Sequence, residues 1–162
     1  SGSTSFSHVP LARLQQLRED LLSLATDYDT VLIDLGAGIE QHVQFMARLA
    51  GRIVVVITDE PTSLTDAYAF IKLCKTKLHN PSISVVVNQA PTQKEGEKTY
   101  GALEKACMSF LKSSPKLLGI IRKDNKVKDA IRAQKPLLDL AQNTLAATDA
   151  AAISVKLMQP VA

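Results

Sequence analysis

Hydrophobic and polar positions alternate along the chain in two periods. Leu11, Leu14, Leu17, Leu21 and Leu24 recur at steps of three and four, which predicts an amphipathic helix over residues 10–26. Pro10 suits its first turn, where a missing N–H costs nothing. Residues 30–35 (TVLIDL) form a short aliphatic run and predict a strand that closes on Asp34 before Gly36-Ala37-Gly38. Ile39, Val43, Met46 and Leu49 return to helical spacing, with Gly51 as a stop. Residues 52–58 (RIVVVIT) are continuously apolar, the pattern of a strand covered on both faces. A polar turn at 59–63 opens a helix over 64–78, which ends near Asn80-Pro81. The unit then recurs, with a strand at 82–88, a loop at 89–96 and a helix to about 111. A further strand at 116–122 leads into a helix at 126–134, which Pro136 breaks, and 141–158 is helical again.

Strands alternating with helices of this length predict an α/β domain, a parallel sheet flanked by helices on both faces. Residues 1–162 read as one such domain, with a Ser/Gly-rich loop at 1–7. In open parallel sheets ligands sit outside the carboxyl ends of the strands. The positions of interest are therefore Asp34 with Gly36, Ala37 and Gly38; residues 58–61; Asn88 and Gln89; and Arg122, Lys123, Asp124 and Asn125.

Composition narrows the classes. A chain of 162 residues with 46% hydrophobic positions buries a core without staples. Its longest apolar run, 53–57, is far short of a membrane span, and residues 1–7 lack the features of a secretory signal. Cys74 and Cys107 carry no metal-ligand spacing and read as buried thiols of a cytoplasmic protein. Charge is uneven: residues 1–60 hold four basic against eight acidic positions, and residues 94–135 hold eleven against five. Lys94, Lys98 and Lys105 alternate with Glu95, Glu97 and Glu104, the pattern of a solvated helix face. Aromatic content of 4% and no tryptophan leave little for base stacking, which argues against nucleic acid. His8, His42 and His79 accompany no G-x-S-x-G elbow and read as surface histidines.

An Asp closing an apolar strand before a small-residue turn suits a magnesium–nucleotide site. The carboxylate holds Mg²⁺ directly or through water, and glycine admits the backbone to a γ-phosphate. Asp34 capping the following helix is the plainer alternative, and the residues alone leave both open.

The series VLIDLGAGI, VVVITDEPTSLTDAYAFIK, VVVNQA and LLGIIRKDNKVKDAI, in that order, resembles the MinD/ParA group of P-loop ATPases over roughly residues 28–135. EPTSLTDAYAFIKL narrows the resemblance to the MinD-like flagellar number regulators, FlhG or FleN. The resemblance implies a SIMIBI-type nucleotide-hydrolase fold, with ATP and Mg²⁺ as family cofactors. It implies that Asp34, Gly36, Ala37 and Gly38 form switch II, with Asp34 supporting Mg²⁺ through water. Asn88 then matches the adenine-bonding asparagine, and Arg122, Lys123 and Asp124 the turn that wraps adenine, where family members usually carry a proline in place of Arg122. Glu60, Thr62, Ser63 and Asp66 fall in the segment lining the ATP-dependent dimer face, with helix capping as the structural alternative for the last three.

One departure is large. No G-x-x-x-x-G-K-[ST] occurs, and the family's first strand, phosphate loop and catalytic aspartate have no counterpart. The resemblance therefore implies the C-terminal part of a larger ATPase, truncated before the switch II strand, with two unpaired strand edges. It implies a homodimerising switch that controls flagellar number or placement and meets flagellar assembly or regulatory proteins, while these residues alone do not hydrolyse ATP. A non-catalytic interaction module and a fragment of a ParA-type partition ATPase are the competing readings. The alanine-rich stretch 146–158 has neither a strong apolar face nor a basic one, which argues against a membrane partner.

Overall fold

The computed structural model describes residues 10–79 and 81–159. The expectations for residues 1–7, His8 and Asn80 lie outside them. Three aliphatic runs, rich in Val and Ile in the first two and in Leu and Ile in the third, form strands β1 (Ile53–Ile57), β2 (Ile83–Ala90) and β3 (Lys116–Arg122), paired in parallel in the order β1-β2-β3. Helices α3 (Pro61–Lys77) and α4 (Gln93–Leu111) pack on one face. Ala67, Ile71, Cys74, Leu103 and Cys107 meet Ile53, Val55, Ile57, Val85, Val87 and Ile120 in the main core. Each large aliphatic side chain buried there stabilises the fold by about 1.5–3 kcal/mol. Helix α4 starts earlier than the expected loop at 89–96 allows, because Thr92 Oγ1 accepts the Glu95 N–H at 3.1 Å and caps it.

The second face is covered by α7 (Leu145–Leu157), whose Ile153 packs on Val86 and Leu118. A Cβ at Gly119 would collide with Ile153, so glycine sets how closely α7 approaches the sheet. Polar contacts fix the C-terminal end of this helix. Lys156 Nζ donates to the Leu118 carbonyl at 2.7 Å. Arg52 donates to the carbonyls of Lys156, Leu157 and Gln159 at 3.2, 3.0 and 2.9 Å, satisfying acceptors that a helix end leaves open. Helices α5 (Asn125–Ala133) and α6 (Leu137–Leu140) connect β3 to α7. The α/β class with helices on both faces of a parallel sheet holds.

Two expectations fail at the β1 side. Residues 30–35 are not a strand; they run without regular structure between a 3-10 turn at Ala25–Asp27 and α2 (Gln41–Ala47). An apolar run becomes a strand only when an adjacent edge accepts its backbone bonds, and residues 30–35 pair with no strand. Strand β1 is likewise covered on one face only: Val54 is 37% and Val56 58% exposed. Helix α1 (Leu11–Leu24) forms as its spacing predicts, yet Leu17, Leu22 and Leu24 remain exposed, with Leu32 at 83%. Leu22, Leu32, Val54 and Val56 line a groove of ≈ 990 Å³ between β1 and residues 30–38.

Candidate functional site

The carboxyl ends of the strands carry two separate groups of candidates. The first lines the groove: Asp34, Gly36, Ala37, Gly38, Thr62, Ser63 and Asp66. Each is positioned by a short connection. Gly38 has φ +136°, a conformation that side chains resist, and a Cβ there would strike the Glu40 carboxylate. Asp34 is exposed just before this turn. Pro61 opens α3, Glu60 stands at its N-cap position, and no side chain caps it, so Thr62, Ser63 and Asp66 are not caps. Ser63 Oγ accepts the Thr58 N–H at 3.0 Å and thereby ties the end of β1 to the first turn of α3. Thr62 and Asp66, one turn apart, are exposed. Glu60 does not line the groove.

The second group lies at the ends of β2 and β3. Asn88 Oδ1 accepts the N–H of Gln89 at 2.9 Å, which leaves its amide NH₂ to donate. Gln89 has φ +59°, uncommon for a side-chain-bearing residue, and the β2–β3 register shifts there. The Lys123 N–H donates to the Ala90 carbonyl at 2.8 Å, while its side chain is exposed.

Arg122 and Asp124 are committed elsewhere. Arg122 donates through its backbone N–H and Nε to Asp149 Oδ2, at 2.9 and 2.8 Å, and through Nη2 to Oδ1 at 2.7 Å. This fork joins the end of β3 to α7. The Arg122 guanidinium holds the Asp149 carboxyl below the usual carboxylate range, and the carboxylate in turn raises Arg122. Asp124 Oδ1 accepts from the Lys126 N–H at 2.9 Å and Oδ2 from the Ala146 N–H at 3.3 Å. One carboxylate thus serves the first turns of both α5 and α7, and those backbone donors, Lys126 foremost, hold its pKa down. The turn wraps the base of α7. Sequence reasoning missed Asp149; the Asp124-Asn125-Lys126 start of a helix was the available sign of a cap.

Cys74 and Cys107 are buried free thiols, as their lack of spacing motif suggests. Burial pushes the Cys74 thiol up to about 11 and raises Cys107 as well, which favours the protonated thiol at both positions. Among the described residues no group of three His, Cys, Asp or Glu side chains could hold a metal. The exposed Asp34 carboxylate beside the small-residue turn is a single donor, too few for an all-protein metal cage. Among those residues no helix is long and apolar enough to cross a membrane.

The parallel sheet, its layers and the strand-end loops define the class: the fold is that of the MinD/ParA P-loop ATPases. The MinD cell division protein of Aquifex aeolicus superimposes with a TM-score of 0.71 at 22% identity, over 92% of this chain and 62% of that one. The septum site-determining MinD of Pyrococcus horikoshii, solved with Mg-ADP, gives 0.66 at 18%, over 89% and 56%. More particularly, the chain is homologous over most of its length to two proteins. They are the antiactivator FleN of Pseudomonas aeruginosa, 30% identical over 139 residues, and the flagellum site-determining protein YlxH of Helicobacter pylori, 28% identical over 146. These alignments cover 86% and 90% of this chain, which spans about half the length of either relative, 50% and 49%. No family model matches the sequence.

Proposed function

We propose that this chain is the C-terminal part of a MinD-like, ATP-dependent dimerising switch that regulates flagellar number or placement in the cytoplasm. The observation that carries the reading is the groove. The Asp34–Gly38 turn and the Thr62, Ser63 and Asp66 face, some thirty residues apart in sequence, line one groove that runs along β1. Homology to FleN and YlxH supports the flagellar role.

In this reading Asp34 receives the water shell of Mg²⁺, and Gly36 and Gly38 keep the backbone clear for a phosphate. Mg²⁺ bound with a nucleotide supplies charge neutralisation at the phosphates. Asn88 donates its free amide NH₂ to an adenine edge, beside Lys123. Thr62 and Asp66, with Glu60 at the rim, present a polar face to a second copy. The 162 residues contain no phosphate loop, so the contacts that hold a triphosphate most strongly are not among them and they do not hydrolyse ATP alone.

Deleting the gene in the organism that encodes it, and counting flagella per cell by electron microscopy, tests the role. Altered number or position is expected, with Asp34→Ala reproducing the deletion; unchanged flagellation in the deletion strain would overturn the role. A second reading, an interaction module without nucleotide chemistry, is favoured by one observation: Arg122 and Asp124 are occupied by Asp149 and by two helix N-termini. In that case the deletion alters flagellation and Asp34→Ala does not.

A further inference from the structure

The two groups of candidates, the groove at β1 and the turn that follows β3, meet one helix at its opposite ends. Helix α7 spans 13 residues, about 20 Å. Its buried residues are Ala146, Ala147 and Ile153, so one large side chain, packed on Val86 and Leu118, anchors it to the sheet. That is a thin apolar hold for a helix of this length. Five of its residues are alanine, the strongest helix former, which keeps the rod helical even where it packs lightly. Its seat therefore depends on polar contacts.

At the C-terminal end the contacts come from the groove. Arg52 lines the groove beside Leu157 and Gln159, and its guanidinium donates to the carbonyls of Lys156, Leu157 and Gln159. The Thr30 hydroxyl donates to Met158 Sδ at 3.7 Å, so the opposite wall of the groove touches the same helix end. At the N-terminal end the contacts come from the strand-end turn. Asp124 Oδ2 accepts the Ala146 N–H, and Asp149 receives the Arg122 fork. Lys123 stands between these two pinned residues, with its own N–H bonded to the Ala90 carbonyl. The shape of the turn is tied to where α7 sits.

We propose that α7 couples the groove to the strand-end turn: the helix seats or lifts as one rod, Arg52 governs that seat from the groove, and the turn at 122–126 is ordered or released with it. Arg52 acts through α7 and is a positioning residue for the turn. Coupling between sites requires an element with two arrangements that both sites bias, and a lightly anchored helix pinned separately at each end meets that requirement. Linkage makes the effect reciprocal, so loosening the turn loosens the Arg52 contacts by the same factor. The coupling runs through protein contacts alone and stands whether or not the groove takes a nucleotide.

Residue-resolved amide hydrogen exchange on the intact chain tests it. Arg52→Ala should speed exchange at Arg122, Lys126 and Ala146, whose N–H groups are held by the two carboxylates, by about tenfold, a usual size for coupling between sites. Val85, Val87 and Leu103 in the main core should keep their rates, which also shows that the variant folds. Gly119→Ala drives a methyl group into Ile153 and lifts α7 without altering any polar group that pins it; the same three amides should accelerate. Asp149→Asn should act in the reverse direction and speed exchange at Met158, whose N–H closes the last turn on the Ser154 carbonyl. Acceleration confined to residues 156–159 in Arg52→Ala, a Met158 rate indifferent to Asp149→Asn, or acceleration spread evenly through the core would each overturn the proposal.

Discussion

Asp149 and Asp124 show how much of this fold rests on single carboxylates. Asp149 takes three hydrogen bonds from Arg122 alone, and its side chain is only 12% exposed, so breaking the pair strands a charge where water reaches poorly. Both carboxyls have folded pKa values below their unfolded ones. A depressed carboxylate contributes stability that is full above the unfolded value, about 4, and is lost as pH falls through the folded value. The melting temperature should therefore hold steady above about pH 5 and fall progressively below about pH 4. Asp149→Asn should lower it near neutrality by several degrees and shallow the acid limb; an unchanged acid limb in the variant would show that the fork contributes nothing. Arg122 was a legible candidate for the ligand because it closes a strand. Its true partner stands 27 positions later on a different helix, and no local pattern encodes that pairing.

Among the elements, β1, β2, β3, α3, α4 and α5 were legible because each strand carries a short aliphatic run and each helix keeps its apolar spacing. Local pattern and tertiary packing agree there. Residues 30–35 carry the same kind of run and still form no strand. Pattern reports what a segment can bury and is silent on whether an edge is available to it. The same reason left β1 bare on one face and Leu17, Leu22 and Leu24 of α1 exposed. Of the candidate site, Asp34, Gly36 and Gly38 were readable from their place after an apolar run, and Thr62, Ser63 and Asp66 from the family resemblance, while the occupation of Asp124 by two helix starts was not legible. Uneven packing predicts uneven opening. Amide hydrogen exchange should be slow across β2, β3 and α4 and fast across residues 11–38, with β1 protected only where it faces β2. Uniform protection of residues 28–38 and β2 would show that the 30–35 run has found a partner strand in solution.

At the scale of the whole molecule, a three-stranded core joins a flank whose apolar surfaces face an open groove, and Asp34 stands at the groove's end. Homology to FleN and YlxH and the MinD fold support the proposal that this groove is one side of a nucleotide site. In that proposal the residues at hand supply a carboxylate, glycines and the Asn88 amide, and no lysine-bearing loop for the phosphates. Binding confined to those contacts should be weak. A dissociation constant near 5 mM stabilises by only about 0.4 kcal/mol at equal ligand, or about 1–2 °C. The most direct measurement is the melting temperature of the chain titrated with MgATP and MgADP to about 5 mM, with EDTA as control. A shift no larger than about 2 °C, abolished by Asn88→Ala, is the predicted result. A Mg-dependent rise well beyond that, or one indifferent to Asn88 and Asp34, would contradict the account of these residues as half of a nucleotide site.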